Sequence, residues 1–211
     1  MDRWADAVTR IGADDPAMAA FTAVAGPCTL VRRRHPGGPF AALARAILYQ
    51  QLAIGAAATI HGRFVALYGG HPTPESVLTT PDGELRAVGL SGAKTASVKD
   101  LAAKVLDGSL RLAALGRVGD DELVARLCAV RGIGPWTAEM FLMFQLNRPD
   151  VWPVGDLGVR AGYARIHGLA AVPTERELVV LGDRYRPWRS IAAWYCWRAM
   201  EAGVSPSPTG W

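Results

Sequence analysis

Apolar positions along this 211-residue chain recur at helical spacing almost throughout. Residues 39–52 and 54–68 are rich in Ala and Leu and read as two helices joined by a short Gln-Leu-Ala link. Thr73-Pro74-Glu75 and Thr80-Pro81-Asp82 each set a cap residue ahead of a proline at the first helical position. Ser91 caps a predicted helix through Val105, with Lys94, Lys99 and Lys104 near one another on its surface. Residues 121–130 form a helix stopped by Gly132, residues 134–146 resume it, and Asn147-Arg148-Pro149-Asp150 ends it. The helix over 156–167 has Asp156 at or near its cap, and Thr174-Glu175-Arg176-Glu177 is a capping box for the next. Pro187 opens a last helix to about Glu201, and the tail from Ser205 to Trp211 is expected to fray. Only 28–33 could be extended, too short and isolated to make a sheet. The pattern predicts an all-α chain, one domain over 1–211, with two helical lobes and a cleft. The middle lobe covers about 50–150 and includes a helical hairpin at 127–146; the N- and C-terminal helices form the second lobe.

Composition leaves this picture standing. Half the residues are hydrophobic and a fifth are charged, the balance of an ordinary globular protein. The net charge of +4 favours a polyanionic partner. Arginine dominates the basic residues; it forks well onto phosphates, although GC-rich coding also produces such an excess. Cys28, Cys128 and Cys196 are far apart with no CxxC, which excludes a zinc ribbon or a four-cysteine iron–sulfur cluster. His35, His61, His71 and His167 show no ligand spacing. The first residues are too polar for a signal peptide and no apolar run reaches membrane length. A soluble protein of the reducing cytoplasm is expected.

The most informative stretch is Leu127-Cys-Ala-Val-Arg-Gly-Ile-Gly-Pro-Trp-Thr-Ala-Glu-Met140. A helix ends, Gly132-Ile133-Gly134 turns the chain, and a second helix starts at once. Glycine permits the backbone angles and close approach that such a turn requires. The first amides of the new helix point outward and suit a phosphate. Ile133 would pack inward between the two helices. A plain helix–turn–helix corner also uses glycine in this way, so the two glycines alone do not decide. The full string of hydrophobic–x–Gly–hydrophobic–Gly–x–x–Thr-Ala is far more specific.

That string resembles the helix-hairpin-helix of the base-excision DNA glycosylase superfamily. A second feature agrees: Asp156, in Val151-Trp-Pro-Val-Gly-Asp-Leu-Gly-Val-Arg160, follows the hairpin at the spacing that superfamily shows and starts a helix. Within it the sequence is most similar to the bacterial 3-methyladenine DNA glycosylase II family. The strings Arg45-Ala-Ile-Leu-Tyr-Gln-Gln-Leu52, Gly134-Pro-Trp-Thr137 and Arg186-Pro-Trp-Arg-Ser190 followed by Trp197 carry that likeness. The family's founder has an extra N-terminal β-rich lobe; the residues before Pro39 are too few for it, so a compact member is implied.

The resemblance implies an enzyme of base excision repair that hydrolyses the N-glycosidic bond of alkylated purines and leaves an abasic site. Asp156 would be its catalytic carboxylate, stabilising the oxocarbenium-like sugar and orienting water. An N-cap aspartate contributes about 1 kcal/mol in any helix, and cap and catalyst are compatible. Trp136 and Trp197 match pocket tryptophans, with Met140 one turn after Trp136 and Leu157 after the aspartate as further pocket positions. Trp188 and Trp194 read as core. Gly132, Ile133, Gly134 and Thr137 would clamp DNA, while Gln50, Gln51 and Leu52 enter the minor groove, Gln51 filling the gap left by the extruded nucleotide. No cofactor is implied beyond a monovalent Na+ or K+ on the main-chain carbonyls of Cys128, Val130 and Ile133. Bifunctional relatives carry a nucleophilic lysine two residues after the second hairpin glycine; Trp136 stands there, so no lyase activity is expected. The partner is double-stranded DNA with damaged bases, met by a monomer without membrane contact. Two alternatives stay open: a glycosylase for an oxidised or deaminated base, and a non-catalytic helix-hairpin-helix DNA-binding protein.

Overall fold

The computed structural model describes residues 4–31 and 33–201, and all regular structure among them is helical. The expected fraying from Ser205 onward lies outside the described residues. The chain forms two compact units, one from residues 4–31 and 147–201, the other from Arg33–Leu146.

In the first unit, α1 (Ala5–Ala13) and α2 (Pro16–Ala25) precede α10 (Leu157–Ile166), α11 (Glu175–Gly182) and α12 (Arg189–Met200). The sequence reading assigned no helix before residue 39. Yet Asp15 accepts the Met18 amide at 3.0 Å with Pro16 at the first helical position, the same start signal as Thr73-Pro74. Trp4, Ala7 and Ile11, spaced to share one face, are buried. The sequence also placed Pro187 at the head of the last helix; α12 starts at Arg189. Its first amides are capped from across the unit, Arg189 N–H by Asp150 Oδ1 at 3.3 Å and Ser190 N–H by the Pro149 carbonyl at 2.9 Å. No residue just ahead of α12 supplies a side-chain cap.

The second unit runs from α3 (Gly38–Tyr49) and α4 (Ile54–Leu67) through α5 (Pro74–Thr79), α6 (Asp82–Ala87) and α7 (Gly92–Leu106) to α8 (Asp120–Cys128) and α9 (Pro135–Met140). Helix α3 is its centre, with eight buried residues from Phe40 to Leu48. It ends at Tyr49 rather than reaching residue 52, because Gln51 adopts a left-handed backbone (φ 56°) that no α-helix continues through. Helix α6 likewise starts one residue late, capped by Pro81. The Thr80 hydroxyl, the expected cap, donates to the Ser76 carbonyl at 2.7 Å and accepts from Tyr68. After Met140 the helix loosens into a π-helical segment, Phe141–Leu146, that periodicity did not reveal.

The three lysines of α7 are not the solvated neighbours the sequence predicted. Five-residue spacing turns each about 140° from the last, so they leave on different sides. Lys94 Nζ donates to the Leu48 carbonyl at 2.7 Å, Lys99 pairs with Asp82, and Lys104 pairs with Asp100 at 2.7 Å. Burial pushes the Lys94 amine below its ordinary pKa.

Candidate functional site

Asp156 is delivered by a segment bolted at several points. Ser190 Oγ, wholly buried, accepts the Val151 amide at 2.9 Å and donates to the Arg148 carbonyl at 2.8 Å. The buried Trp152 donates its indole N–H to the Leu178 carbonyl at 2.8 Å, and a Cβ on Gly182 would lie 2.2 Å from that nitrogen. The Arg186–Ser190 string therefore anchors the approach to Asp156, and Asp150 takes the Arg189 guanidinium at 2.7 Å. A turn closed by Asp156 N–H on the Pro153 carbonyl at 3.0 Å then starts α10.

At that start, Asp156 Oδ1 accepts two donors: the Val159 amide at 2.9 Å, as a helix cap, and the Trp197 indole N–H at 3.1 Å. The resemblance implied a pocket tryptophan at Trp197; its hydrogen bond makes it a positioning residue for the carboxylate. The contact depends on two glycines one turn apart. A Cβ on Gly162 would sit 1.9 Å from the Cys196 carbonyl oxygen, and one on Gly158 would press on Asp156 Oδ1 at 3.0 Å and Trp197 Cδ1 at 3.1 Å. Backbone-to-backbone approach of α10 and α12 is what sets the indole against the carboxylate. The sequence reading passed over these glycines, although their i, i+4 spacing marks a helix face built for close packing. Leu157, the next residue, is 64% exposed.

The far end of α10 is pinned too. His167, its C-cap, lies over the Tyr163 ring at 3.9 Å and bridges the Tyr163 carbonyl and buried Asp15, each at 2.8 Å. Asp15 also accepts the Tyr185 hydroxyl.

In the second unit, the hairpin between α8 and α9 is braced from two sides. Gly132 has φ 79°, and a Cβ there would meet Ser97 Oγ of α7 at 2.6 Å, so both conformation and space require glycine. Asp100 Oδ2 accepts the Arg131 amide at 2.8 Å. Burial works against ionisation of Asp100, but hydrogen bonds from Lys104 and the Arg131 amide leave its carboxyl below the ordinary range. From α3, Gln50 Nε2 donates to the Gly132 carbonyl at 2.8 Å and to Thr137 Oγ1 at 3.3 Å. Ile133 packs inward as expected, with 4% of its surface exposed. Gln50, Ile133 and Thr137 were put forward as DNA contacts. The Gln50 side chain instead braces the hairpin, and those of Ile133 and Thr137 are buried in its support, because the turn needs their bonds and packing to hold its shape. What the turn exposes is different: Gly134, with open space where a Cβ would point, Trp136 at 39% exposure, and the stretch 51–56 with Gln51 and Leu52 at its head. Met140 is buried and lines a cavity.

The sequence profile of HhH-GPD superfamily base excision DNA repair proteins matches residues 44–181. The chain belongs to this superfamily. The hairpin and Asp156 fall inside the matched HhH-GPD region; Trp197 lies beyond it. DNA-3-methyladenine glycosylase 1 of Schizosaccharomyces pombe is 38% identical over 173 residues, 81% of this chain and 76% of that protein. The solved structure of S. pombe 3-methyladenine DNA glycosylase (Mag1) in complex with abasic DNA superposes with a TM-score of 0.81 at 32% identity, over 96% of this chain and all of that one. DNA-3-methyladenine glycosidase from Bacillus halodurans superposes with a TM-score of 0.86 at 33% identity, over 96% of this chain and 92% of that one. The likeness of the hairpin, of Asp156 and of their spacing to HhH-GPD glycosylases is therefore one of family.

Proposed function

We propose that this chain is a monofunctional DNA glycosylase of base excision repair. It would hydrolyse the N-glycosidic bond of alkylated purines, 3-methyladenine and 7-methylguanine among them, and leave an abasic site in double-stranded DNA. The observation that carries this reading is the Asp156 carboxylate, fixed at the head of α10 by Val159 N–H and the Trp197 indole, within the region matched by a base-excision family. As the C–N bond opens, positive charge grows on the sugar; a pre-oriented carboxylate offsets it and directs the attacking water. A purine alkylated to a cation departs as a neutral molecule, so no strong general acid is needed. Relatives named for 3-methyladenine, one of them solved with abasic DNA, support the substrate class.

The remaining parts follow the exposed groups. Main-chain amides of Gly132 and Gly134 hold phosphate, and Gln51, backed by Leu52, fills the gap left by the extruded base. Trp136 and Leu157 have exposed apolar surface that would suit that base, and Trp197 and Met140 are the further pocket candidates. The Val130 carbonyl accepts the Ile133 amide at 3.1 Å and keeps a second lone pair, so with the carbonyls of Cys128 and Ile133 it would suit Na+ or K+, which would add positive charge at the phosphate. The enzyme acts as a monomer on cytoplasmic, nucleoid DNA.

The direct test is to incubate the protein with methylated DNA and identify released bases by chromatography. Release of 3-methyladenine and 7-methylguanine is expected, and absence of both would end the reading.

Two further outcomes are expected. Gly134→Ala leaves the fold intact, since φ there is −95° and nothing lies within 4 Å of the added Cβ. It weakens binding to damaged and undamaged duplexes alike, about tenfold, because phosphates carry no lesion information. A loss confined to lesion-containing DNA, read by fluorescence anisotropy, would place Gly134 in the base pocket instead. Borohydride added during turnover traps no protein–DNA adduct, since Trp136 occupies the nucleophile position and Lys94, Lys99 and Lys104 are each bound to a partner. An adduct lost in a lysine variant would establish lyase chemistry.

A further inference from the structure

Helix α10 has Asp156 as its N-cap and His167 as its C-cap. Between them, at Gly162, its backbone lies so near that of α12 that no side chain fits. From Gly162 it is about 9 Å along the axis to Asp156 and about 7.5 Å to His167. The contact is thus a pivot between two arms of similar length. A shift at His167 tilts Asp156 by a similar distance the opposite way. The 3.1 Å bond from the Trp197 indole to Asp156 Oδ1 is what such a tilt disturbs first, and small misplacements of a reacting group are costly.

The far arm is fixed by a histidine whose two ring nitrogens both face acceptors. Nδ1 lies 2.8 Å from the Tyr163 carbonyl oxygen, which can only accept, so Nδ1 carries a proton. Nε2 lies 2.8 Å from Asp15 Oδ2. Asp15 is 2% exposed; its Oδ1 takes the Met18 amide and its Oδ2 the Tyr185 hydroxyl. Burial works against ionisation of Asp15, but hydrogen bonds from Tyr185, the Met18 amide and His167 outweigh it and hold the carboxyl below its ordinary range. Burial first, then the bond to Asp15, push the Tyr185 hydroxyl above its own range, so that proton stays on the tyrosine. An ionised carboxylate also only accepts, and Nε2 must donate to it. With both nitrogens protonated the ring is a cation, stacked on Tyr163 with its centroid 3.9 Å away.

The other ionisable groups against this pair, among the described residues, are Tyr163, Cys196 of α12 and Arg184, whose guanidinium lies 3.6 Å from Asp15 Oδ2. Burial pushes the Tyr163 hydroxyl and the Cys196 thiol above their ordinary values, and arginine keeps its charge. Imidazole is the side chain that changes charge in the neutral range. Once Nε2 has given its proton to solvent, its lone pair faces a carboxylate and attraction turns to repulsion. The Tyr185 hydroxyl, 3.5 Å from Nε2, could serve it only by leaving Asp15.

We propose that His167, as an imidazolium paired with Asp15, positions Asp156 from the opposite end of α10, so that excision slows as the ring loses its proton. The proposal rests on the glycosylase reading above.

The test reads structure and rate against pH. In isotope-labelled protein, the Trp197 indole N–H signal is expected to move with the ring signals of His167, and His167→Gln to abolish that movement. Single-turnover excision of 7-methylguanine from a duplex, at saturating enzyme, gives the rate. The ratio of the wild-type rate to the His167→Gln rate, which cancels any titration of the lesion, falls at least about fivefold as pH rises across the same range. Asp15→Asn, which can still cap α2, displaces the ring titration and the decline in rate together. An indole signal that stays still while the ring titrates overturns the proposal, as does a rate ratio flat with pH or an Asp15→Asn chain in which only one of the two is displaced. If the wild-type chain releases no base while the indole still follows the ring, the coupling along α10 holds and the glycosylase reading fails.

Discussion

Asp156→Asn is expected to keep DNA affinity within about twofold and to slow excision of 7-methylguanine on the order of a thousandfold. Asparagine caps helices as well as aspartate does, and its carbonyl oxygen can still accept Val159 N–H and the Trp197 indole N–H. The fold around α10 therefore persists, and what disappears is the negative charge that the proposed mechanism sets against the sugar in the transition state. Single-turnover excision and anisotropy titration separate the two effects. A near wild-type rate in the variant would take Asp156 out of the chemistry. Trp197→Phe sharpens the point: the ring stays while the N–H to Oδ1 is lost, so the carboxylate is charged but less fixed. A loss well below that of Asp156→Asn, falling on kcat more than KM, is the signature of a positioning bond; a loss confined to KM would make Trp197 a stacking platform alone.

Gly162→Ala has the largest expected effect on stability. In an unconstrained helix, glycine to alanine gains about 1 kcal/mol. Here the new methyl would lie 1.9 Å from the Cys196 carbonyl oxygen and 2.5 Å from its carbon, so α10 and α12 must separate along their whole contact. Backbone cannot turn aside as a side chain can, and overpacking of this kind outweighs the propensity gain, for a net loss of about 2–4 kcal/mol and a Tm lower by about 5–15 °C. Excision falls with it, because Trp197 is carried away from Asp156. The same change at Gly62, exposed on α4 with nothing near its Cβ, is the control and leaves Tm level or raised. A Tm for Gly162→Ala matching that control would mean that the close approach does not set the position of the carboxylate.

The parts of this protein that follow a local rule were legible from sequence. Asp156 capping α10, Thr174 and Glu177 closing a capping box, Ile133 turned inward and Gly132 in a left-handed turn each depend on residues within four positions of one another. The illegible parts depend on partners far along the chain. Gln50 reads as a helix-end glutamine until it meets the Gly132 carbonyl; Lys94 reads as a surface lysine until it meets the Leu48 carbonyl. The start of α12 was misplaced for the same reason, since Asp150 caps Arg189 from 39 residues away. Two features were missed that local signals do mark: the Asp15-Pro16 start of α2, and the Gly158–Gly162 face of α10.

The order in which the units are written along the chain bears on how the protein is made. Arg33–Leu146 is continuous and has all its helices in hand once residue 146 has been synthesised. The unit that bears Asp156 is not: α1 and α2 come first, and their partners α10 and α12 come last. At ribosomal speed the two parts are separated by on the order of ten seconds. During that interval Ile11 and Met18, both buried in the finished molecule, have yet to meet the later helices of their own unit. A nascent chain halted before Arg189 would already hold the hairpin while lacking Trp197. The hairpin thus precedes the Asp156–Trp197 contact in time, and chaperone occupancy of the growing chain should be greatest on its earliest helices.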